Sequence, residues 1–185
     1  MGIYQTINLE PYVNNRGMTY EKDYQKGKLT LGNASFPAEL LLKEQEPVIH
    51  GIPFEFIYIN KGDNIELEGQ SIQLGQIKAE ALHIVGCACN GNLYEDVTFL
   101  LNGHPVHQSR LSLTDVIEQE PAFSDRLALS FNYIHTVTGI NRHLGSRLWH
   151  DTLSLPKGTL FDEIQFEDNP SMHIFAMTLE MANEG

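Results

Sequence analysis

The amino-acid sequence predicts an all-β fold, an antiparallel two-layer sandwich, and three observations lead there. The closing stretch from Leu160 to Met181 holds two strand-like runs hinged on Asp168-Asn169-Pro170. In the first, Ile164 and Phe166 alternate with Gln165 and Glu167, the period of a half-buried strand; in the second, Ile174 to Met181 is apolar on both faces, as a central strand would be. Short apolar runs punctuated by Gly, Asn and Pro recur along the whole chain at the spacing of an all-β protein. Between Tyr94–Leu101 and His104–Leu113, Asn102-Gly103 is the strongest hairpin signal present, because both positions of a two-residue turn need positive φ.

The bulk properties bound the function. With 185 residues and 42% apolar residues the chain is read as one domain over residues 1–185, able to fill a single sandwich core. Its formal charge of −12 repels nucleic acid and anionic membranes alike, and no Lys/Arg cluster is seen to interrupt it, so neither is expected as a partner. Met1-Gly-Ile-Tyr-Gln-Thr-Ile lacks the basic start and apolar core of a signal peptide, and no run reaches membrane-spanning length; a cytoplasmic location is the expectation. Cys87 and Cys89 face the same side of a strand, about 7 Å apart. That is too far for an unstrained disulfide, so two free thiols are expected.

The elements follow in order. Gln5 to Val13 reads as a first strand, halted by Asn14-Asn15-Arg16-Gly17, and Phe36-Pro37-Ala38-Glu39-Leu40 follows a Gly32-Asn33 turn. Pro47 to Ile59 reads as extended chain interrupted at Gly51 and Pro53, with Phe54, Phe56 and Tyr58 on one face, a face to be buried or to bind something. After the Asn60 to Asn64 turn, Ile65 to Glu68 alternates strictly, Ser71 to Leu74 is a short strand, and Ala79 to Cys89 is a fully buried one. Thr114 to Glu118 is a candidate short helix ended by Pro121, and helix content should be low, one or two short helices at most. Leu127 to Val137 and Arg147 to Leu155 resume extended character.

Ser35-Phe-Pro-Ala-Glu39, Gly51-Ile-Pro-Phe54, Asp63-Asn64 with Gly69-Gln70, Leu82-His-Ile-Val-Gly86, and Asn169-Pro170 with His173 to Leu179, taken in series, resemble the galactose-binding-domain-like jelly rolls that accompany bacterial glycoside hydrolases. The resemblance spans most of the chain. It implies an antiparallel jelly-roll sandwich, carbohydrate as ligand at a loop rim or concave face, and in many such modules a structural calcium ion. The chain departs from the pattern in having no attached catalytic domain.

Sugar recognition needs a flat apolar face to stack on a pyranose and planar polar groups to bracket hydroxyls. Trp149, the single tryptophan, has Arg147, His150 and Asp151 beside it and Arg142 and His143 in the preceding loop. Trp149 is therefore expected to stack, Arg147 and Asp151 to hold hydroxyls, and Arg142 with His150 to line the rim. The competing reading makes Trp149 a core residue with Arg147 at the rim. His104-Pro-Val-His107 has poor spacing for one strand face, and His50, His83, His135 and His173 sit in or beside apolar runs, so a metal site would need several of them to converge in the fold. Asp63, Asn64 and Asn14-Asn15 could give calcium its oxygen ligands, although turn geometry accounts for them without metal. Glu66 with Glu68 shows only the alternation of a solvated strand, and there is no G-x-S-x-G.

The function expected on these grounds is non-catalytic carbohydrate binding, as an accessory or standalone member of a glycan-utilisation system. Two alternatives stand beside it. One is a metal-dependent sugar isomerase or lyase on a cupin-like barrel. The other is an oligomeric interaction subunit whose Phe54, Phe56 and Tyr58 face packs on a second copy.

Overall fold

The computed structural model describes residues 2–43 and 46–182. Its strands are β1 (Ile3–Thr6), β2 (Met18–Thr19), β3 (Phe36–Pro37), β4 (Val48–Ile49), β5 (Ile52–Pro53), β6 (Ile65–Glu68), β7 (Ser71–Ala88) and β8 (Leu93–Leu101). They continue with β9 (His104–Leu113), β10 (Arg126–Phe131), β11 (Ile134–Thr136), β12 (Gly139–Asn141), β13 (Ser146–Ser154), β14 (Leu160–Phe166) and β15 (Asp168–Met181). A four-residue helix α1 (Ala38–Leu41) and 3-10 turns at Glu10–Tyr12 and Glu21–Lys26 are the helical pieces among the described residues.

The long strand β7 organises the molecule. Its first half, Ser71 to Lys78, pairs antiparallel with β14, which continues through β8 to β9. Its second half, Ala79 to Ala88, lies between β15 and β13, with β1 and β6 on the far side of β15 and β10 beyond β13. One strand thus serves two layers, the corner device of a sandwich. The all-β class is as expected. Ser71 to Leu74 and Ala79 to Cys89 are not separate strands: the chain runs through as β7, staying on β14 past Gly75 to Lys78 and changing partner to β15 at Ala79.

The core is one apolar cluster that includes Trp149, Phe54, Phe99, Phe161, Phe166, Phe175, Ile84 and Leu113. Asn102-Gly103 turns β8 into β9 with φ of 51° and 76°, the two-residue turn expected there. His50-Gly51 does the same between β4 and β5, at 53° and 84°. Three expectations need correction. Gln5 to Val13 is not one strand: β1 ends at Thr6 and Pro11 closes a 3-10 turn. Thr114 to Glu118 is not helical, since Thr114 is drawn aside to Asp125 by backbone and hydroxyl bonds of 2.7 and 2.9 Å. Leu127 to Val137 is broken after Phe131 into β10 and β11. Among the described residues no helix is long and apolar enough to cross a membrane.

Candidate functional site

The structure disperses the expected sugar cluster. Trp149 is 0% exposed and donates its Nε1–H to the Asp115 carbonyl at 3.1 Å, so neither ring face can meet a pyranose. Asp151 is buried, accepting N–H bonds from Ser112 and Thr152, each at 2.8 Å. Burial pushes its carboxyl upward against the pull of those bonds. Arg147 is half-buried and reaches Ile117 O at 3.5 Å, while Arg142 lies 5.3 Å over the Tyr133 ring near the β11–β12 hairpin. His150 points away from Trp149, as strand alternation requires, but it too is buried. Both faces of β13 are covered, Trp149 by the segment after β9 and His150 by His50 and Phe54, and that is why the stacking role assigned to Trp149 fails. Phe54 and Phe56 join the core as well, which removes two of the three rings offered to a second copy.

His150 instead belongs to a chain of imidazoles. Its Nδ1 lies 3.0 Å from His50 Nδ1 and 3.3 Å from Arg126 Nη2, its Nε2 3.2 Å from His83 Nδ1, and His83 Nε2 lies 3.4 Å from Glu180 Oε2. A guanidinium only donates, so His150 Nδ1 accepts and Nε2 carries the proton. The hydrogen bonds then run one way, from His50 through His150 and His83 to Glu180. Burial, reinforced by the neighbouring imidazoles and Arg126, drives His150 down to about 3. His83 and His50 are also lowered, burial first in each, so all three are neutral at pH 7. Among the described residues no group of three or more His, Cys, Asp or Glu side chains has metal-holding geometry. Most oxygens considered for calcium are already engaged: Asp63 Oδ1 accepts from Gly17 N at 2.8 Å and Asn64 Nδ2 at 2.8 Å, Asn14 Oδ1 accepts from Glu66 N at 2.8 Å, and Asn64 Oδ1 meets His173 Nδ1 at 3.1 Å, while Asn15 Oδ1 is buried without a partner.

The concavity with recognition chemistry lies elsewhere. The 3-10 turn at Glu21–Lys26 and the segment Tyr58 to Asn60 enclose a cleft of about 350 Å³ lined by Arg16, Tyr20, Lys22, Asp23, Lys26, Tyr58, Ile59 and Asn60. Tyr20 meets Tyr58 edge-to-face at 5.5 Å, and the Arg16 guanidinium lies 4.8 Å over the Tyr58 ring. Arg16 is fixed by bonds to Ile59 O at 2.7 Å and Asn60 O at 2.9 Å, and by Asp63 at 3.6 Å beneath the floor. Lys22 stands 5.8 Å over Tyr20, and Lys26 pairs with Asp23 at 3.6 Å. Three cations thus face one lining carboxylate. The absence of a Lys/Arg cluster, expected from the sequence, does not hold at this cleft, which Arg16, Lys22 and Lys26 line together. A larger cleft of about 760 Å³, with Lys78, Lys157, Gln5 and Gln76 over an apolar floor of Ile77, Leu160 and Met181, has no aromatic ring.

Reading the sequence alone missed the Tyr20 cleft because its residues come from two segments joined only by the fold. The signal available was local: two tyrosines and two lysines crowd residues 20–26 of an acidic chain.

The architecture and the cleft define an antiparallel β-sandwich with a small aromatic and cationic recess at one edge of its loops. The chain belongs to the AziU2-like β-sandwich domain family, whose model matches residues 4–183. No curated protein matches it.

Proposed function

We propose that this protein is a non-catalytic recognition module that binds a carbohydrate-class ligand carrying negative charge in the cleft between Tyr20 and Tyr58. The observation that carries the reading is the pairing of those two rings with Arg16, Lys22 and Lys26 in a chain whose net charge is −12. Aromatic rings supply the apolar surface on which sugar C–H groups rest, while the Asn60 amide and the tyrosine hydroxyls can bracket ring hydroxyls. Lys22 and Lys26 are exposed and reach as mobile point charges toward a carboxylate or ester anion. Arg16, satisfied by two backbone carbonyls, holds the Tyr58 ring in place rather than gripping ligand. The location differs from the one the sequence suggested; the ligand class is the same.

Titration calorimetry with glucuronate-type and neutral monosaccharides and oligosaccharides tests this. The acidic ligands should bind and the neutral ones bind more weakly, with Lys22→Ala/Lys26→Ala removing the difference. Equal heats from both ligand classes, or an unaltered acidic-ligand isotherm in the double variant, would refute it.

A further inference from the structure

The larger cleft is left unused by the reading above, and it opens where β7 changes partner. Lys78 is the last residue of β7 paired with β14, opposite Leu160, and Ala79 is paired with β15, opposite Met181. Beyond that point β14 and β15 part and leave between them a space of about 760 Å³, inside the range of roughly 300–1,000 Å³ that small-molecule sites occupy.

Backbone bonds hold the walls in place. Ala182 N donates to Lys78 O at 3.1 Å, and Leu155 N donates to Glu80 O at 2.8 Å. The turn that carries Lys157 is closed by Thr159, whose N–H and hydroxyl both donate to Pro156 O, at 3.0 and 2.7 Å, with Gly158 at a φ of 82°. A site built this way is formed before a ligand arrives, which spares the ligand the cost of ordering it.

The lining divides into two chemistries. Ile77, Leu160 and Met181 are aliphatic and half-buried, so part of each remains open to the cleft. Ile3, 58% exposed, is the cross-strand partner of Met181 and shares its sheet face, which extends the apolar strip onto β1. Lys78 and Lys157 stand exposed at the cleft, one from β7 and the other from the turn before β14. Among the described residues the salt bridges are those of Arg16, Lys26, His83 and His135, so neither cleft lysine is neutralised by a carboxylate. Glu80 is the one lining carboxylate set against these two ammonium groups, in a chain whose net charge is −12.

No aromatic ring lines this cleft, so nothing in it offers a pyranose a stacking surface. An aliphatic floor fits a flexible hydrocarbon chain, and two lysines on flexible stems fit an anionic head at its end. We propose that this cleft binds a free alkyl carboxylate of medium chain length, its carboxylate held by Lys78 and Lys157 and its alkyl chain lying on Ile77, Leu160 and Met181. The inference is independent of the Tyr20–Tyr58 reading, and its test uses no saccharide.

The experiment is titration calorimetry of the whole protein with acetate, octanoate, decanoate and dodecanoate, each below its micelle-forming concentration, with decanol and decyltrimethylammonium as uncharged and cationic controls. From octanoate to dodecanoate, affinity should rise about twofold with each added methylene, because an open cleft covers one side of the chain. Decanol should bind about fivefold more weakly than decanoate, the worth of two exposed ion pairs. Lys78→Ala/Lys157→Ala, checked for folding by its melting curve, should weaken decanoate by the same factor and leave decanol unchanged. Lys22→Ala/Lys26→Ala should leave the decanoate isotherm as it was, which separates this site from the tyrosine cleft. Acetate or decyltrimethylammonium binding as tightly as decanoate, no binding at millimolar decanoate, or a decanoate isotherm altered by the Lys22/Lys26 pair and not by the Lys78/Lys157 pair would overturn the proposal.

Discussion

The indole Nε1 of Trp149 donates to the backbone carbonyl of Asp115 at 3.1 Å in the middle of the core, tying β13 to the loop that follows β9. Arg147 N–H reinforces the same link two residues earlier, donating to Val116 O at 2.8 Å. Trp149 therefore acts on stability. Trp149→Ala should cost about 3–5 kcal/mol by cavity formation alone, with a further loss from the unpaired Asp115 carbonyl. Urea denaturation measures it; a cost below about 1 kcal/mol would show the indole to be poorly packed.

The pH dependence has two opposing contributors. His150 is held near 3 in the folded protein against an ordinary 6.5, so across that window the unfolded chain binds the proton that the folded one does not, and stability falls as pH falls. Asp63 has the reverse sign. Burial raises it from 3.8 to about 6 despite Arg16 at 3.6 Å, so the folded state binds its proton first and gains stability as pH falls from 6 to 3.8. Asp63→Asn should thus steepen the loss of urea midpoint between pH 6 and about 4, and His150→Gln should flatten it. Profiles parallel to the unaltered protein in both variants would contradict these assignments.

Two glycines of β7 should behave oppositely. At Gly86, between Ile174 and Trp149 in the ladder, an added Cβ would meet His173 O at 2.4 Å and Leu113 Cδ1 at 3.0 Å. Gly86→Ala should destabilise by about 1–3 kcal/mol, because a backbone carbonyl in a central sheet cannot give way. At Gly75 nothing lies within 4 Å. Gly75→Ala should be neutral or stabilise by about 0.4–1 kcal/mol through the unfolded chain. Thermal midpoints of the two variants, side by side, check both.

The comparison of sequence with structure divides along physical lines. Period-2 patterning marked β14 and β6, unbroken apolar runs marked β15 and the second half of β7, and Asn102-Gly103 marked its hairpin, because side-chain patterning and positive φ are local demands. Burial on both faces of β13 was not local. Arg147, Trp149 and Asp151 alternate as a solvent-facing strand would, yet β9 and the segment after it cover Asp151 and Trp149. The imidazole chain joins His50, His83 and His150 from three strands or turns that only the tertiary fold aligns, and the tyrosine cleft needs Arg16 and Tyr58 to meet across 41 intervening residues, a separation no local pattern encodes.

Chemical-shift mapping tests the ligand claim most directly. Amide and side-chain signals of isotope-labelled protein would be followed as an acidic oligosaccharide, and then its neutral counterpart, is added. The account predicts saturable shifts concentrated at Tyr20, Lys22, Lys26, Tyr58 and Asn60 with the acidic ligand and much smaller ones with the neutral ligand. Shifts centred on Lys78 and Lys157, or none at all at millimolar acidic ligand, would contradict it.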